Sequence, residues 1–283
     1  MPITPETIKA RRSTRSYLPK PLAPAERDAL TALVAAPGSA PFGTQARFAL
    51  VGSEFAGATA SKSGRIGTYG VIKNAPAYLV GCVRPGPLAF MDYGYLLEGM
   101  ILRATDLGLG SCWLGGIFDR KSSGAALDLK ADEVVPAITP IGYPAESSSI
   151  ADRLIRFSAR SSTRKPFGEL FFDGSWDRPM DPADAFAPAL EAVRLGPSAS
   201  NKQPWRIVRI GDAAHLYLME DAPYSRAIPG VLLQDLDAGI AMRHLELGAE
   251  ALGIRGRWRR LDVDPIESKP PLRYMASFEL IPA

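Results

Sequence analysis

Four short stretches of this sequence group side chains that could hold an anionic, planar ligand. "ARRSTRSY" (Ala10–Tyr17) sets Arg11, Arg12 and Arg15 around the hydroxyls of Ser13 and Thr14 within five residues. Guanidinium forks match phosphate oxygens two at a time, so the cluster suits a phosphate group. It suits a solvated basic turn equally well. "GLGSCWLGG" (Gly108–Gly116) carries four glycines in nine residues. Such a backbone can lie flat against a ring and present its own N–H and C=O groups, although a plain turn between helix and strand uses the same residues. "PSASNKQPW" (Pro197–Trp205) offers hydroxyls and amides; an amide carries donors and acceptors and can read the edge of a heterocycle, or simply cap a turn. "SSTRKPFGELFF" (Ser161–Phe172) puts Arg164 and Lys165 beside a rigid proline and an apolar run, as in an arm that packs on the body.

Other chemistry is poorly supplied. With two histidines (His215, His244) and two cysteines (Cys82, Cys112), a His/Cys metal centre is not expected, and a nucleophilic triad would have to recruit one of those two histidines. Cys112 reads as a small packing residue. The glycine stretch fails the dinucleotide spacing, because Trp113 stands at the third glycine and a helical pattern, not a strand, precedes it. No phosphate-binding G-x-x-x-x-G-K-[ST] occurs. The net charge is +3 with scattered Lys and Arg, which argues against nucleic acid as partner. No leader-like or membrane-length apolar run is present, and two cysteines fit a reducing compartment. A cytoplasmic protein is expected, with neither nucleic acid nor membrane as partner.

The elements that must position these residues are written twice. "GSAPFGTQARFALV" (Gly38–Val51) aligns with "GPSASNKQPWRIVR" (Gly196–Arg209), Gly to Gln spanning seven positions in both. Farther on, Asp92, Gly94, Ala104, Leu107, Gly108 and Trp113 match Asp237, Gly239, Ala249, Leu252, Gly253 and Trp258 without a gap. A weaker third pair is Val134–Gly142 against Arg273–Ile281. A duplication follows. Each half reads as helix, polar turn, strand, long helix, glycine loop, strand. The first long helix ends at Leu107, before Gly108, with Leu97, Met100, Ile101, Ala104 and Leu107 on one face. "PAYLVGCV" (Pro76–Val83) and "ARFALVG" read as strands, and Ala145–Arg153 and Asp173–Asp184 as connectors. The halves are placed at 1–170 (arginine motif, glycine loop, basic arm) and 171–283 (Asn/Gln turn), packed as one body.

Taken in this order, with Ile141-Gly142-Tyr143-Pro144 between the glycine loop and the arm, the motifs resemble those of the FMN-dependent nitroreductase family over nearly the whole chain. The internally duplicated "TM nitroreductase" sub-group is similar in its duplication and in its "RKPFGELFF"-like arm. The resemblance implies an α+β fold of three α/β/α layers, mostly antiparallel sheets with helices, here a pseudo-dimer in one chain. Members of the family are intertwined homodimers with FMN between subunits. One subunit gives the arginine motif, glycine loop and arm; the other gives the Asn-Gln-Pro-Trp turn. Here the early copy of that turn is degraded, with Gly43, Ala46 and Arg47 for Asn, Pro and Trp, and the intact copy comes late. A single complete site between the halves is therefore expected. At the mirror position Arg260 and Leu261 replace Gly115 and Gly116 and should close the second site.

The resemblance also implies roles. Arg11, Ser13 and Arg164, with Lys165, would clamp the FMN phosphate, and Arg12 would lie along the ribityl chain or phosphate. Arg15 would stand near the pyrimidine edge and tune the flavin electrostatically. Leu114, Gly115 and Gly116 would give backbone contacts to the ring. Pro197, Ser198, Ala199, Asn201 and Gln203 would close the site from the other half, with Trp205 as packing. No catalytic side chain and no metal is expected: NAD(P)H would reduce FMN, leave, and make way for an electron-poor acceptor such as a nitroaromatic or a quinone. Since the fusion supplies the partner half, a monomer is expected. A non-catalytic FMN-binding or storage protein, a flavin-dependent dehydrogenase or dehalogenase of the same fold, and a flavin-free scaffold stay open. The lid candidate Ser53–Gly70 does not choose among them.

Overall fold

The computed structural model describes residues 3–52, 71–116, 118–145, 163–221, 228–267 and 271–281. The lid candidate and all of the first connector except Ala145 lie outside the described residues. In chain order the elements are α1 (Pro5–Ala10), α2 (Pro24–Ala35), β1 (Ala46–Gly52), β2 (Ala77–Val83), α3 (Ala89–Asp106), β3 (Gly110–Ser111), α4 (Arg120–Ala125) and β4 (Ile138–Gly142). They continue as β5 (Phe171–Asp173), α5 (Ala187–Leu195), β6 (Trp205–Ile210), β7 (Ala213–Met219), α6 (Leu233–Ala251), β8 (Arg255–Arg259) and β9 (Leu272–Ile281).

Two sheets result, and their order gives the duplication a structural form. The first runs β1-β2-β4-β3 and the second β5-β6-β7-β9-β8. Without β5 the two orders are the same, and every pairing between these strands is antiparallel. β5 is the addition. It pairs parallel with β6, Phe171 opposite Ile207, so the arm after the first half becomes a strand of the second half's sheet. The arm expected only to pack on the body thus contributes backbone hydrogen bonds as well, and it buries Phe171 completely.

The long helices α3 and α6 are apolar nearly all round, as central helices are, and they pack on each other. Their contact is backbone to backbone. A Cβ added to Gly94 would stand 2.3 Å from the Leu236 carbonyl oxygen, and one on Gly239 would stand 2.0 Å from that of Met91. These glycines are the matched pair of the repeat. The halves also share their cores: Met91, Tyr95 and Leu96 of α3 join Trp205, Leu216, Met242 and Phe278 of the second half in one apolar cluster. Leu233 and Leu236 of α6 join Leu79, Leu97 and Ile101 of the first half in another.

Two sequence expectations shift. α3 ends at Asp106, and Leu107 is its C-cap, 41% exposed rather than on the core face. The chain turns away at Gly108, whose φ of +76° is the left-handed conformation that ends helices. The strand expected over Val134–Gly142 begins at Ile138, because Val134 instead bridges in isolation to Val83.

Replacing Gly239 by alanine forces a methyl group against the α3 backbone. Gly239→Ala should therefore cost about 1–3 kcal/mol or more in urea unfolding, whereas Gly86→Ala, with nothing within 4 Å, should leave the midpoint nearly unchanged.

Candidate functional site

The N-terminal motif is held as an extended ribbon beside β3. Thr14 N–H donates to Ser111 O at 2.7 Å, and Lys73 N–H donates to Arg15 O at 2.8 Å. The Tyr17 hydroxyl donates to Thr14 O at 2.7 Å. This approach needs Gly110, since a Cβ there would stand 2.6 Å from Thr14 Oγ1. The ribbon exits α1 and carries Arg11 inward. That guanidinium is buried, and its Nε and Nη1 find no hydrogen-bond partner among the described residues. Burial lowers its pKa, with the Glu98 carboxylate opposing the shift. Arg15 Nη1 is likewise buried without a partner.

The glycine loop forms the adjoining wall. Leu114 exchanges both backbone hydrogen bonds with Ile138, at 2.9 and 3.0 Å, and the Arg120 guanidinium donates to Gly115 O. Trp113 Nε1 donates to Glu98 Oε2 at 2.6 Å, and Glu98 Oε1 lies 2.9 Å from His244 Nε2. The other ring nitrogen, Nδ1, is 2.9 Å from the Ala192 carbonyl oxygen and must carry hydrogen to bond it. A proton therefore also lies between Nε2 and the carboxyl, since neither can otherwise donate to the other. Glu98 and His244 are both fully buried and join α3 to α6. Glu98 was not singled out from the sequence; its one mark there is a charge midway along α3, on the stretch between Asp92 and Arg103 that is otherwise uncharged.

The opposite wall is the late turn. Ser200, Asn201 and Gln203 have φ of 50°, 54° and 48°, an uncommon run of left-handed non-glycine residues. Such strain persists where surroundings over-determine it, and here they do. Ala199 N–H donates to Asp237 Oδ1 at 2.9 Å, and Gln203 N–H to Ser198 Oγ at 2.8 Å. Gln203 Oε1 accepts from Lys165 N–H at 2.9 Å, and Asn201 Nδ2 donates to Thr163 O at 3.0 Å. Arg164 reaches across with Nη1 to Asn201 Oδ1 and Nη2 to Leu195 O, each 3.2 Å. The amides thus fasten the basic arm to the turn. Burial lowers the Arg164 pKa, and the neighbouring Arg11 charge lowers it further.

Between these walls lies a cleft of about 130 Å³ that opens to solvent. Arg11, Ser13, Arg15, Gly115 and Arg164 line it, facing Pro197, Ser198, Ala199 and Asn201. Leu233, Leu236, Asp237 and Ile240 of α6, with Trp113 and Cys112, complete it. The remaining residues singled out from the sequence stand back from it. Arg12 is exposed and bonds Lys9 O at 3.1 Å. Leu114 is buried with its backbone committed to Ile138, and Gly116 is exposed. Lys165 and Gln203 lie behind the turn, Gln203 only 3% exposed, its carbonyl taken by the arm rather than free for a ligand. Trp205 is fully buried in the core.

Among the described residues no helix is long and apolar enough to cross a membrane, and no group of three or more His, Cys, Asp or Glu is placed to hold a metal ion. Two matched halves around one cationic cleft define a duplicated α+β protein of nitroreductase fold. The chain belongs to the family described as "Putative TM nitroreductase", whose model matches residues 4–249, and is by that membership a nitroreductase-like oxidoreductase. A solved structure from Thermotoga maritima, described as a putative nitroreductase, is 18% identical, covers 100% of this chain and 95% of its own, and has a TM-score of 0.62. A nitroreductase with bound FMN from Bacteroides fragilis is 27% identical over 51% of this chain and 90% of its own, with a TM-score of 0.38. No curated protein matches the chain.

Truncating Glu98 removes the acceptor of Trp113 Nε1 and leaves the fully buried His244 without its side-chain partner. Glu98→Ala should lower unfolding free energy by about 3–5 kcal/mol, measured with urea. Glu98→Gln keeps an acceptor for the indole and a donor for the imidazole, and should lose less than half as much.

Proposed function

We propose that the chain is an FMN-dependent oxidoreductase that binds one FMN between its halves. The observation that carries this reading is the pair of buried nitrogens on Arg11 that have no hydrogen-bond partner among the described residues, on a side chain lining a cleft that Arg15 and Arg164 also line. Buried donors of a cation left without acceptors are costly unless a ligand completes them. Converging guanidinium groups beside a hydroxyl fit a phosphate dianion, and the apolar floor of Leu233, Leu236 and Ile240 beside Trp113 fits a flat ring.

Arg11, Ser13 and Arg164 hold the phosphate in this reading. Arg15 sets a positive charge near the ring, which favours electron arrival there. Gly115 leaves room for a plane, and Pro197 to Asn201 close the opposite side. When bound, FMN supplies the two-electron redox chemistry, taking electrons from NAD(P)H and delivering them to an electron-poor acceptor such as a nitroaromatic or quinone. The protein's share is anchoring, orientation and field, without a catalytic side chain of its own. At the mirror position Arg260 occupies the place of Gly115; its guanidinium donates to the carbonyls of Tyr274 and Met275 and lies 4.6 Å over the Tyr274 ring. That side chain fills what a second flavin would need. Because one chain carries both walls, we further propose a cytoplasmic monomer.

The purified protein should be yellow, with one FMN per chain by absorbance; two would contradict the single-site reading. Arg11→Ala should weaken FMN binding at least about tenfold, the scale of a lost charge-assisted hydrogen bond, while Arg12→Ala should change it less than about twofold. Anaerobic NADH or NADPH should bleach the flavin, and a spectrum unchanged over minutes would remove the enzymatic reading.

A further inference from the structure

The two aspartates of the repeat are not equivalent. Asp92 on α3 caps the early turn with both oxygens: Oδ1 accepts from Phe42 N–H at 3.1 Å and Oδ2 from Thr44 N–H at 2.9 Å. Asp237, its counterpart on α6, spends only Oδ1, on Ala199 N–H at 2.9 Å. At the position matching Thr44, Lys202 N–H turns instead to Ala199 O at 3.1 Å, because the late turn winds into a 3₁₀ helix over Ala199–Asn201. Asp237 Oδ2 is consequently left without a partner among the described residues, on a side chain only 2% exposed that lines the cleft.

We infer that Asp237 is a ligand-contacting residue of the cleft, donating a hydrogen bond from Oδ2 to an acceptor atom of the bound flavin. The assignment of the flavin as ligand rests on the function proposed above; the state of the carboxyl does not. Since Oδ1 accepts the Ala199 N–H, the acid's proton belongs on Oδ2 and points to the unfilled side. Burial pushes this carboxyl up to about 8, and the Asp235 charge on the same helix adds to the effect. The other charged or titratable groups lining the cleft are Arg11 and Arg15 from the N-terminal ribbon, Cys112 from the glycine loop and Arg164 from the arm. α3 meets this part of α6 through the backbone of Met91 and the bare Cα of Gly94. A neutral acid beside an anionic cofactor avoids the repulsion that a carboxylate would add, and supplies a donor where the lining cations do not.

The test pairs a ligand-free measurement with a binding one. Infrared difference spectra of flavin-free wild type and Asp237→Asn should show a protonated carboxyl stretch at pH 7 that the variant lacks. FMN titrations at pH 7 and 9 should show wild-type affinity falling about tenfold, as expected when only the protonated form of a carboxyl titrating near 8 binds. In Asp237→Asn, Oδ1 still accepts from Ala199 and Nδ2 donates into the cleft, so its affinity should fall less than about twofold over the same range. Asp237→Leu should bind about tenfold more weakly at pH 7, the scale of one lost hydrogen bond; if it does not fold, the isosteric Asn variant decides. Parallel losses in wild type and Asp237→Asn, or absence of the carboxyl band while flavin binds, would overturn the inference and leave the proposed function standing. Absence of FMN binding in wild type with the band present would overturn the proposed function and, with it, the contact to flavin.

Discussion

Everything in this molecule is hung on the place where α3 and α6 touch without side chains. Gly94 and Gly239 let each helix press on the other's backbone, Leu236 O and Met91 O being the atoms that any methyl group would strike. This close approach joins the half that carries the glycine loop to the half that carries the polar turn. Two residues before each glycine stands the aspartate that ties the adjacent turn to the helix. Helix packing and cleft geometry are therefore one constraint. A wider crossing would separate Arg11 from the turn that faces it, whereas Arg164, fastened to Asn201, would move with the turn.

The cleft concentrates unfavourable features that the rest of the fold supports. It gathers three guanidinium groups, a buried aspartate and a turn with three left-handed non-glycine residues. Departures from local rules of this kind concentrate at functional or strained sites. The supports are specific. Arg120 and the Leu114–Ile138 bridge fix the glycine loop, Gln203 and Asn201 fix the arm to the turn, and Glu98 fixes the Trp113 indole.

Much of this was legible in the sequence, because its signals were local. The repeat announced itself through matched Asp, Gly and Trp positions, and the structure repeats it as two sheets with the same strand order. The motifs that seemed weak singly are those that line the cleft. What stayed hidden depended on partners distant in the chain. Gln203 reads from the sequence as a group for a ligand, and what the fold adds is its Oε1 accepting from Lys165 N–H, 38 positions away. The arm looked like a packing segment, yet its pairing with β6 depends on an edge that only the folded second sheet offers. Glu98 and His244, 146 positions apart, gave no hint of each other. Leu107 fell on the predicted face by periodicity and left it because the helix stops one residue earlier.

The Glu98–His244 pair carries a wider meaning. Shifting each residue by the spacing of the repeat puts Arg243 in the place of Glu98 and Gly99 in the place of His244; Arg243 packs on Gly99, but without the buried hydrogen bond that Glu98 and His244 make. In an assembly of identical subunits every residue is installed twice, so a contact suited to one side is imposed on the other. Covalent linkage lifts that rule. In one chain each half can carry its own residue at a repeated position, as Glu98 and Arg243 do.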